Sequence, residues 1–520
     1  MHYDDIIVGA GSSGAALTAR LSEDPNRSVL LLEAGPDYPT IEETPHDLLY
    51  TSDSFEDHDW GWTAQATPQR EMRFYRGKVT GGCSAINAAV AIRGVPADFD
   101  EWAALGNDQW SFYKVLPYLR KLEHDADFGG DLHGKGGPVW IERSKRSNWH
   151  PTVAAFHTAC RAMGFPDSPD FNDPESTGVG PCARNLRDGI RISTAIAYLG
   201  PARNRLNLTI RGGCIANRVI IENGRAIGVE VQTESNINRV DGKRITLCAG
   251  AFASPAILMR SGVGPRAELE RHGIRLLVEV PGVGANLIDH PLMGMVAALS
   301  SDAIKQAPHT DHSRFSVLLR YTADGSTEFN DMQLYLMPLV DLAMWPGAPF
   351  PPEFPPPLML ACALQRPRSR GRLKLRSADP LEQPDIRLNY LDEPEDLRRM
   401  IDGTRLGWHL MHQPDITSGW QGPVVTMAGQ ILDQATVDSD AALADFIRSN
   451  CGSICHPVGT TKMGPDSDKE AVVDQYCRVR GVEGLRVVDA SVMPNIVRAN
   501  TNLTCIMIGE RVADWMRAEV

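Results

Sequence analysis

A glycine-rich turn between an apolar run and a helix stands at the start of this chain and constrains its fold more than any other feature. The apolar residues 6–8 lead into Gly-Ala-Gly-Ser-Ser-Gly at 9–14, and helix-forming residues follow as far as Leu21. A second apolar run at 29–32 ends in the acid Glu33. Strand, Gly-x-Gly-x-x-Gly turn, helix, second strand and terminal acid form the βαβ pattern of a dinucleotide-binding fold.

Each part of this motif has a physical role. Gly9 permits the tight turn, Gly11 lets a pyrophosphate approach the backbone, and Gly14 lets the helix pack closely on the strand. The N–H groups at the helix N-terminus are free to bind the phosphates. Glu33 stands where an acid accepts a hydrogen bond from a ribose 2′-hydroxyl and repels a 2′-phosphate. The sequence therefore predicts a dinucleotide site.

Composition bounds the class of protein. A chain of 520 residues exceeds one ordinary core, so we expect two domains that share a large interface. The net charge of −13 argues against nucleic acid or an anionic membrane as a partner. The sequence contains no run of 18 apolar residues, so no transmembrane anchor is expected. The ten cysteines form no paired Cys-x-x-Cys units, so no metal site is expected. The cysteine usage and a fold that starts too early for a signal peptide favour a cytoplasmic location.

The order of apolar runs indicates how the domains are arranged. Asn223-Gly224 between two apolar runs predicts a hairpin, and buried strands near 244–250 and 485–490 fit the same dinucleotide sheet. We therefore predict an α/β chain, α+β overall, in which separated segments form a Rossmann-type cofactor domain around a substrate domain with a mainly antiparallel sheet. The predicted cofactor-domain segments are 1–150, 201–295 and 463–520, with an interface segment at 151–200 and the substrate domain at 296–462.

Several local features carry narrower expectations. An apolar helix is expected from Ala85, another from about Ser254-Pro255, and helical spacing over 98–123 includes Leu105 among its buried positions. A proline-rich stretch at 337–360 could wall a substrate entrance with apolar side chains or could be a packed surface loop. The large apolar residues of this stretch are Met344, Trp345, Phe350 and Phe354.

Further motifs spread over residues 4–517 give the chain a specific resemblance. A second glycine-rich turn precedes Asn87, and a histidine and an asparagine stand in dense motifs near the C-terminus. In order and spacing these motifs resemble the glucose–methanol–choline (GMC) oxidoreductases, with the closest likeness to members that oxidise hydroxymethyl groups on furan or pyridine rings. The segments that carry the resemblance are 77–87, 250–264, 281–290, 455–460, 488–494 and 499–502.

The resemblance implies FAD as the dinucleotide and an alcohol as the substrate, with hydride passing to the flavin. It makes His456 the base, since histidine can be neutral before and protonated after the hydroxyl proton is removed. Asn500 stands where other members carry a second histidine; an amide only hydrogen-bonds, so it would position the hydroxyl. Ile86 replaces the histidine that tethers FAD in some members, so FAD should be bound without a covalent link.

The expected FAD contacts follow from the two glycine-rich turns, the resemblance and the predicted C-terminal helix. Asp489 is expected to order backbone near the ribityl chain, and Trp60 to pack on the adenine or at the domain interface. The full predicted set is Gly9, Gly11, Ser12, Ser13, Gly14, Glu33, Ala34, Trp60, Gly81, Gly82, Asn87, Ala88, Val90, Val219, Ala249, Gly250, Asp489, Ala490, Asn500 and Thr501.

Other functions stay open on the sequence alone. A lyase of the hydroxynitrile type, with FAD in a structural role, is compatible with His456 and Asn500. A choline or aliphatic alcohol dehydrogenase with an acceptor other than oxygen is another alternative, and the sequence leaves the acceptor undecided. A non-catalytic FAD-binding protein and a light-driven decarboxylase are disfavoured. His290, beside Asp289, is interpreted as a structural residue of an interface loop.

Overall fold

The glycine-rich turn follows the central strand of a seven-stranded sheet in the computed structural model, which describes residues 2–51, 56–306, 315–340, 350–351 and 353–519. That strand, His2–Val8, pairs in parallel with Val29–Leu32 on one side and with the end of Ile237–Leu247 on the other. Leu208–Arg211 and Leu485–Val487 extend the parallel part at its two edges. The predicted dinucleotide sheet is thus confirmed, with strands drawn from both ends of the chain.

An antiparallel hairpin continues this sheet on one side. Ile215–Glu222 pairs with Arg225–Gln232, which in turn pairs with the start of the strand Ile237–Leu247. Asn223 and Gly224 have φ angles of 52° and 77°, so both occupy the left-handed region that a type I′ turn requires. The hairpin predicted at these two residues is confirmed.

A second seven-stranded sheet forms the other half of the molecule, and its strands all pair antiparallel, as predicted. The long helix Pro394–Met411 packs on it through two glycines; a Cβ at Gly403 would lie 2.5 Å from Cys362 Sγ. This close approach buries the central strands on both faces. The strands are Gly178–Pro181, Pro291–Leu299, Val317–Tyr321, Met332–Met337, Pro357–Leu364, Trp420–Val425 and Gly452–Ser453.

Smaller sheets connect the two halves. One contains Thr63–Thr67, Arg70–Arg73, Arg372–Lys374 and Asp385–Arg387; a second contains Glu123–Asp125, Val139–Arg143 and Ala183–Arg184. Two further pairs are Leu186–Arg187 with Ile190–Arg191, and Val263–Gly264 with Val278–Glu279.

Helices cover both sheets and the edges between them. None of the described helices is both long enough and apolar enough to cross a bilayer. The α-helices are Ser12–Leu21, His46–Leu49, Cys83–Ile86, Pro96–Ala104, Phe112–Leu122, Pro151–Ala162, Gly200–Ala202, Gly250–Arg260, Arg266–Arg271, Ser301–Lys305, Pro394–Met411, Pro414–Thr417, Gln434–Asp438, Asp440–Asn450 and Thr501–Ala518. Short 3₁₀ helices span Glu56–His58, Asp108–Trp110, Arg146–Asn148 and Ala490–Val492, and Ala195–Leu199 is a π-helix.

Two of the local predictions about helices in the first part of the chain are wrong. The helix expected from Ala85 spans only Cys83–Ile86, because the backbone then turns at Ala89, whose φ is 57°. Asn87 Oδ1 accepts the N–H of Ala89, and residues 89–91 bond to the strand segment around Ala183 instead. Leu105 is 45% exposed, because the helix Pro96–Ala104 has already ended there.

The helix expected near Ser254-Pro255 begins earlier, at Gly250, and runs to Arg260. A proline inside a helix leaves the carbonyl four residues before it without its usual donor. Here the Thr460 hydroxyl donates to the carbonyl oxygen of Ala251 at 2.6 Å and takes the place of the missing N–H. A residue from a distant segment thus lets the helix continue through Pro255, which no local pattern could have indicated.

The two ends of the chain meet where the first helix packs against the C-terminal helix Thr501–Ala518. The Ser13 hydroxyl donates to the carbonyl oxygen of Cys505 at 2.7 Å, and a Cβ added at Gly509 would lie 2.5 Å from the carbonyl oxygen of Ser13. Arg20 reaches the buried Glu510 at 2.8 Å. Only a glycine lets the backbones approach this closely.

Gly509→Ala should therefore destabilise the protein. Overpacking against rigid backbone costs about 1–3 kcal/mol, whereas alanine in a helix recovers only about 1 kcal/mol relative to glycine. We expect a lower denaturant midpoint for Gly509→Ala than for the parent. The control is Gly213→Ser on the surface, where a Cβ meets nothing within 4 Å but φ is +65°, so any loss there reflects backbone strain alone. A Gly509→Ala protein as stable as the parent would contradict the close-packing explanation.

Candidate active site

One cavity between the two halves brings together most of the predicted site residues. It lies at the C-terminal ends of the parallel strands, where a doubly wound sheet binds its ligands. Its wall also includes residues that the sequence did not indicate, among them Arg76, Cys214, Phe315 and Ile454. The predicted residues on the wall are Gly9, Gly11, Ser12, Ser13, Glu33, Ala34, Trp60, Gly82, Asn87, Ala88, Val90, Ala249, Gly250, His456, Asp489, Ala490, Asn500 and Thr501.

Three predicted cofactor residues do not line this cavity. Gly14 packs behind the turn, where a Cβ would lie 2.0 Å from the carbonyl oxygen of Gly9. Gly81 has a φ of 97° and lies against Ala195. Val219 lies in the buried middle of its strand, and the wall is formed instead by residues 215–216 at the start of that strand. Since the cavity lies at one end of the sheet, the strand's first residues are the ones that reach it.

The dinucleotide end of the cavity fits the group that the first motif predicts. Glu33 accepts the N–H groups of Ala10 and Gly35, each at 2.9 Å, which leaves further lone pairs for hydroxyl donors. Burial raises the pKa of Glu33 to about 7. A Cβ at Gly82 would lie 2.7 Å from the Cα of Gly11, so the two glycine-rich turns touch and form a cradle without side chains.

Two helix N-termini meet at this cavity. The C-terminal helix begins at Asn500, and Thr501 and Asn502 line the wall. The Ser12 hydroxyl, in the first turn of the N-terminal helix, donates to Asn502 Oδ1 at 2.7 Å and joins the two helix ends. Free N–H groups and the positive ends of two helix dipoles suit phosphate and other anionic groups.

Asp489 holds the backbone between these two ends rather than facing the ligand space freely. Its carboxylate accepts the N–H of Gly250 at 2.8 Å, the Ser254 hydroxyl at 2.6 Å and the N–H of Ser491 at 2.8 Å. These bonds use most of its acceptor capacity. Asp489 thereby fixes the start of the helix Gly250–Arg260 and the turn after the strand Leu485–Val487.

At the other end of the cavity, His456 and Asn500 lie side by side on the wall. Asn500 Nδ2 is 3.3 Å from His456 Nε2, and Asn500 Oδ1 is buried without a hydrogen-bond partner among the described residues. Burial, followed by His290 and Arg76, holds the pKa of His456 well below its ordinary value. The imidazole is therefore neutral at pH 7 and can accept a proton beside an amide with an unused acceptor.

The backbone that carries His456 is strained and held in place by polar contacts. Cys455 has a φ of 61°, a conformation that is costly for a residue with a side chain. The His456 N–H donates to Asp289 Oδ1 at 2.7 Å, and Arg76 Nη2 donates to the carbonyl oxygen of Cys455 at 2.7 Å. Asp289 also accepts the hydroxyls of Tyr390 and Ser453. These contacts over-determine the position of His456.

His290, interpreted from the sequence as a structural interface residue, lies against His456. The two Nδ1 atoms are 3.1 Å apart, and the rings are perpendicular at 86°. His290 is fully buried, and burial lowers its pKa to about 3. In the sequence, the only sign of a role for His290 is the acid that precedes it. Nothing in the sequence places this pair beside His456.

Aromatic residues occupy the cavity wall and its surroundings. Trp60 and Trp62 both line the cavity and stack on each other, with ring centroids 4.9 Å apart. In the proline-rich stretch, the ring centroids of Phe350 and Phe354 are 4.9 Å apart, but neither residue is on the cavity wall. The predicted wall residues Met344 and Trp345 fall outside the described residues.

Comparison with known proteins places this geometry in a family. The N-terminal model of the GMC oxidoreductases matches residues 3–292, and the C-terminal model matches residues 367–509. The chain is 37% identical to a 5-(hydroxymethyl)furfural oxidase of Methylovorus sp., over 98% of each chain. It is 34% identical to an oxygen-dependent choline dehydrogenase of Brucella ovis, over 99% of this chain and 95% of the relative. The crystal structure of pyridoxine 4-oxidase from Mesorbium loti superposes with a TM-score of 0.89 at 30% identity, covering 99% of both chains.

The contacts of Asp289 lead to a prediction about stability. Asp289→Ala leaves two hydroxyls and the His456 N–H without their acceptor, and a buried unsatisfied group costs about 1–3 kcal/mol. We expect a clear fall in the free energy of unfolding, measured by urea titration. Asp289→Asn retains one acceptor oxygen, so its free energy of unfolding should fall less. Equal stability of Asp289→Ala and the parent would show that these contacts do not hold the His456 backbone.

Proposed function

Because the chain belongs to the GMC oxidoreductase family and binds FAD, we propose that it oxidises a neutral primary alcohol to the aldehyde, with His456 as the base and Asn500 positioning the hydroxyl. The observation that supports this most directly is the 3.3 Å approach of His456 Nε2 and Asn500 Nδ2 on the cavity wall. Both groups face one space, where a hydroxyl can donate to the imidazole and accept from the amide.

The proposed reaction divides the two hydrogens of the alcohol. Bound FAD supplies the acceptor for the hydride that leaves the carbon with its electron pair. His456 Nε2 takes the hydroxyl proton, and the C–O bond becomes the carbonyl of the aldehyde. The imidazole can do this because burial keeps it neutral before the reaction. Its charge changes from neutral to +1 as the proton arrives.

Asn500 stabilises the oxygen as negative charge develops on it. Its Nδ2 can donate to that oxygen, and because Asn500 is the N-cap of the C-terminal helix, the helix N-terminus lies beside it. An amide does not titrate, so it holds the same polarity throughout the reaction. This division gives proton removal to His456 and orientation to Asn500.

The apolar part of the cavity wall supports a neutral, apolar alcohol as the substrate. Val90, Phe315 and Ile454 line the cavity with hydrocarbon. Arg76, on the same wall, donates to the carbonyl oxygen of Cys455 and places a positive charge near the base. An aromatic ring bearing a hydroxymethyl group, like the substrate named for the Methylovorus relative, fits such a wall.

A cationic alcohol such as choline is the second candidate, because of the Brucella relative. A quaternary ammonium group is stabilised by a carboxylate or by the faces of aromatic rings, and Trp60, Trp62 and Phe315 do line the cavity. The acids on the cavity wall are Glu33, Glu382 and Asp489, and none of the three hydrogen-bonds to His456 or Asn500 among the described residues. The charge near the base is that of Arg76, which would repel an ammonium group.

The proposed FAD is held without a covalent link. Ile86 lies on the wall in the second glycine-rich segment, and its hydrocarbon side chain offers no atom that could bond to the cofactor. The glycine cradle and the two helix N-termini supply the hydrogen bonds that retain the dinucleotide instead.

Removal of the base tests the dyad. His456→Ala should slow anaerobic reduction of the flavin by about 10²–10⁴-fold, the usual contribution of a general base. The pKa of His456 lies below its ordinary value, so the parent rate should be constant above about pH 6.5 and fall only in acid, as the base is protonated. Asn500→His should add a second ionisation to this profile, measured by stopped flow from pH 5 to 9. His409→Ala, at an exposed helix position, is the control. Unchanged flavin reduction in His456→Ala would refute the base.

Substrate charge tests the choice between the two relatives. We expect 5-(hydroxymethyl)furfural or a pyridine methanol to bleach the flavin anaerobically at least 10-fold faster than choline at equal concentration, because Arg76 disfavours a cation. Faster bleaching by choline would reverse the assignment. If no alcohol bleaches the flavin but an aromatic hydroxynitrile releases cyanide, the protein is a lyase on the same fold.

A further inference from the structure

We propose that His290 is a positioning residue that fixes the tautomer of His456, so that the basic nitrogen points into the cavity. This inference rests on the proposed function, in which His456 Nε2 accepts the hydroxyl proton. It adds a residue whose side chain does not line the cavity and therefore does not touch the alcohol. Two contacts along a line of nitrogen atoms carry it, together with the surroundings of the His290 ring.

The first contact joins the two histidines. His290 Nδ1 and His456 Nδ1 are 3.1 Å apart, which is hydrogen-bond distance for two nitrogens. Such a bond needs one donor and one acceptor, so in the neutral pair only one of the two Nδ1 atoms carries a hydrogen. The tautomer of one ring thus dictates the tautomer of the other.

The surroundings of the His290 ring make up the outer end of the line. The backbone carbonyl groups of Gln365 and Val497 lie near the His290 ring. His290 Nε2 forms no hydrogen bond among the described residues, so the contact with His456 is the one that sets the tautomer of His290.

The second contact sets the inner end. Asn500 Nδ2, a donor, is 3.3 Å from His456 Nε2. A donor facing Nε2 requires a lone pair there, so the ring hydrogen of His456 is on Nδ1. That hydrogen then faces His290 Nδ1, which accepts it.

His290 is suited to this task because it stays neutral. Its burial opposes a charge, and the cation that acts on it, Arg366, opposes it further, so it remains an acceptor across the pH range in which enzymes work. The titratable groups that act on His456 are the cation Arg76 and the neutral His290. The neighbouring Asp289 holds the His456 backbone through the N–H, not the ring. One dipeptide therefore fixes both the backbone and the ring of the base.

Nuclear magnetic resonance of ¹⁵N-histidine-labelled holoenzyme tests the tautomer directly. The His456 signals are assigned as those lost in His456→Ala. We expect a protonated Nδ1 and an unprotonated Nε2 in the parent. In His290→Phe, which offers no acceptor, the hydrogen should move to Nε2 or exchange between the two positions. A parent His456 protonated on Nε2 would overturn the proposal whatever the variants do.

Kinetics give a second readout. Partners that fix the tautomer of metal-ligating histidines are worth about 10–100-fold in affinity or activity. By analogy, the limiting rate of flavin reduction should fall by that factor in His290→Phe while the alcohol concentration for half-saturation stays nearly constant. His290→Asn places an amide oxygen near the position of Nδ1 and should restore most of the rate. His150→Phe is the matched control, since His150 is also fully buried and interacts with a carbonyl oxygen, that of Ala303.

The outcomes separate this proposal from the function on which it rests. If His456→Ala reduces its flavin normally, the assignment of His456 as the base fails. The resonance experiment on the parent still decides the tautomer independently of that result. A His290→Phe protein that reduces flavin at the parent rate overturns the positioning role. Equal losses in His290→Phe and His290→Asn, with an unchanged nitrogen spectrum, would also overturn it and assign His290 to packing alone.

Discussion

The close packing of the first helix on the last one is the contact on which the rest of the site depends. The Ser13 hydroxyl bonds to Cys505, Ser12 bonds to Asn502, and Gly509 leaves room for the backbone of Ser13. This contact fixes the direction of the C-terminal helix, and that helix begins at Asn500. The residue proposed to orient the alcohol is therefore positioned from the same turn that forms the dinucleotide cradle. Cofactor cradle and reaction dyad share one rigid support.

A second support is polar and buried. Asp289 accepts the His456 N–H and the hydroxyls of Tyr390 and Ser453, and Arg76 anchors the carbonyl of Cys455. Burying these groups is costly unless each finds its partner, so the network specifies one arrangement and offsets the strain at Cys455. On the side toward the cavity, the His456 ring has Asn500 as its neighbour. The lone pair on His456 Nε2 therefore faces the space that a substrate would occupy.

Much of the fold could be predicted from the sequence, because its signals are local. Gly9 to Gly14 and the acid Glu33 defined the dinucleotide sheet, and Asn223-Gly224 defined the hairpin. The helix from Gly250 was misplaced because the partner that lets Pro255 stay inside it, Thr460, lies two hundred residues away in the chain. Val219 does not line the cavity, and a strand pattern does not say which end of the strand faces it. The sequence did not connect His290 and Arg76 with His456, because contacts between distant segments do not appear in the periodicity of a sequence.

One strand of the parallel sheet and one helix of the site lie far along the chain from the first βαβ unit; the bond between Ser13 and Cys505 joins residues 492 positions apart. Leu485–Val487 pairs with the strand Ile237–Leu247, and Thr501–Ala518 packs on Ser12–Leu21. The first turn of the chain must wait for nearly the whole polypeptide before its neighbour exists, and closing so long a loop slows folding. During translation the emerging N-terminal half exposes an unfinished sheet edge and half a cradle, a state open to misassembly. The dinucleotide cradle is thus complete only when residues 485–518 are in place, and a chain truncated before them lacks both the support and the site.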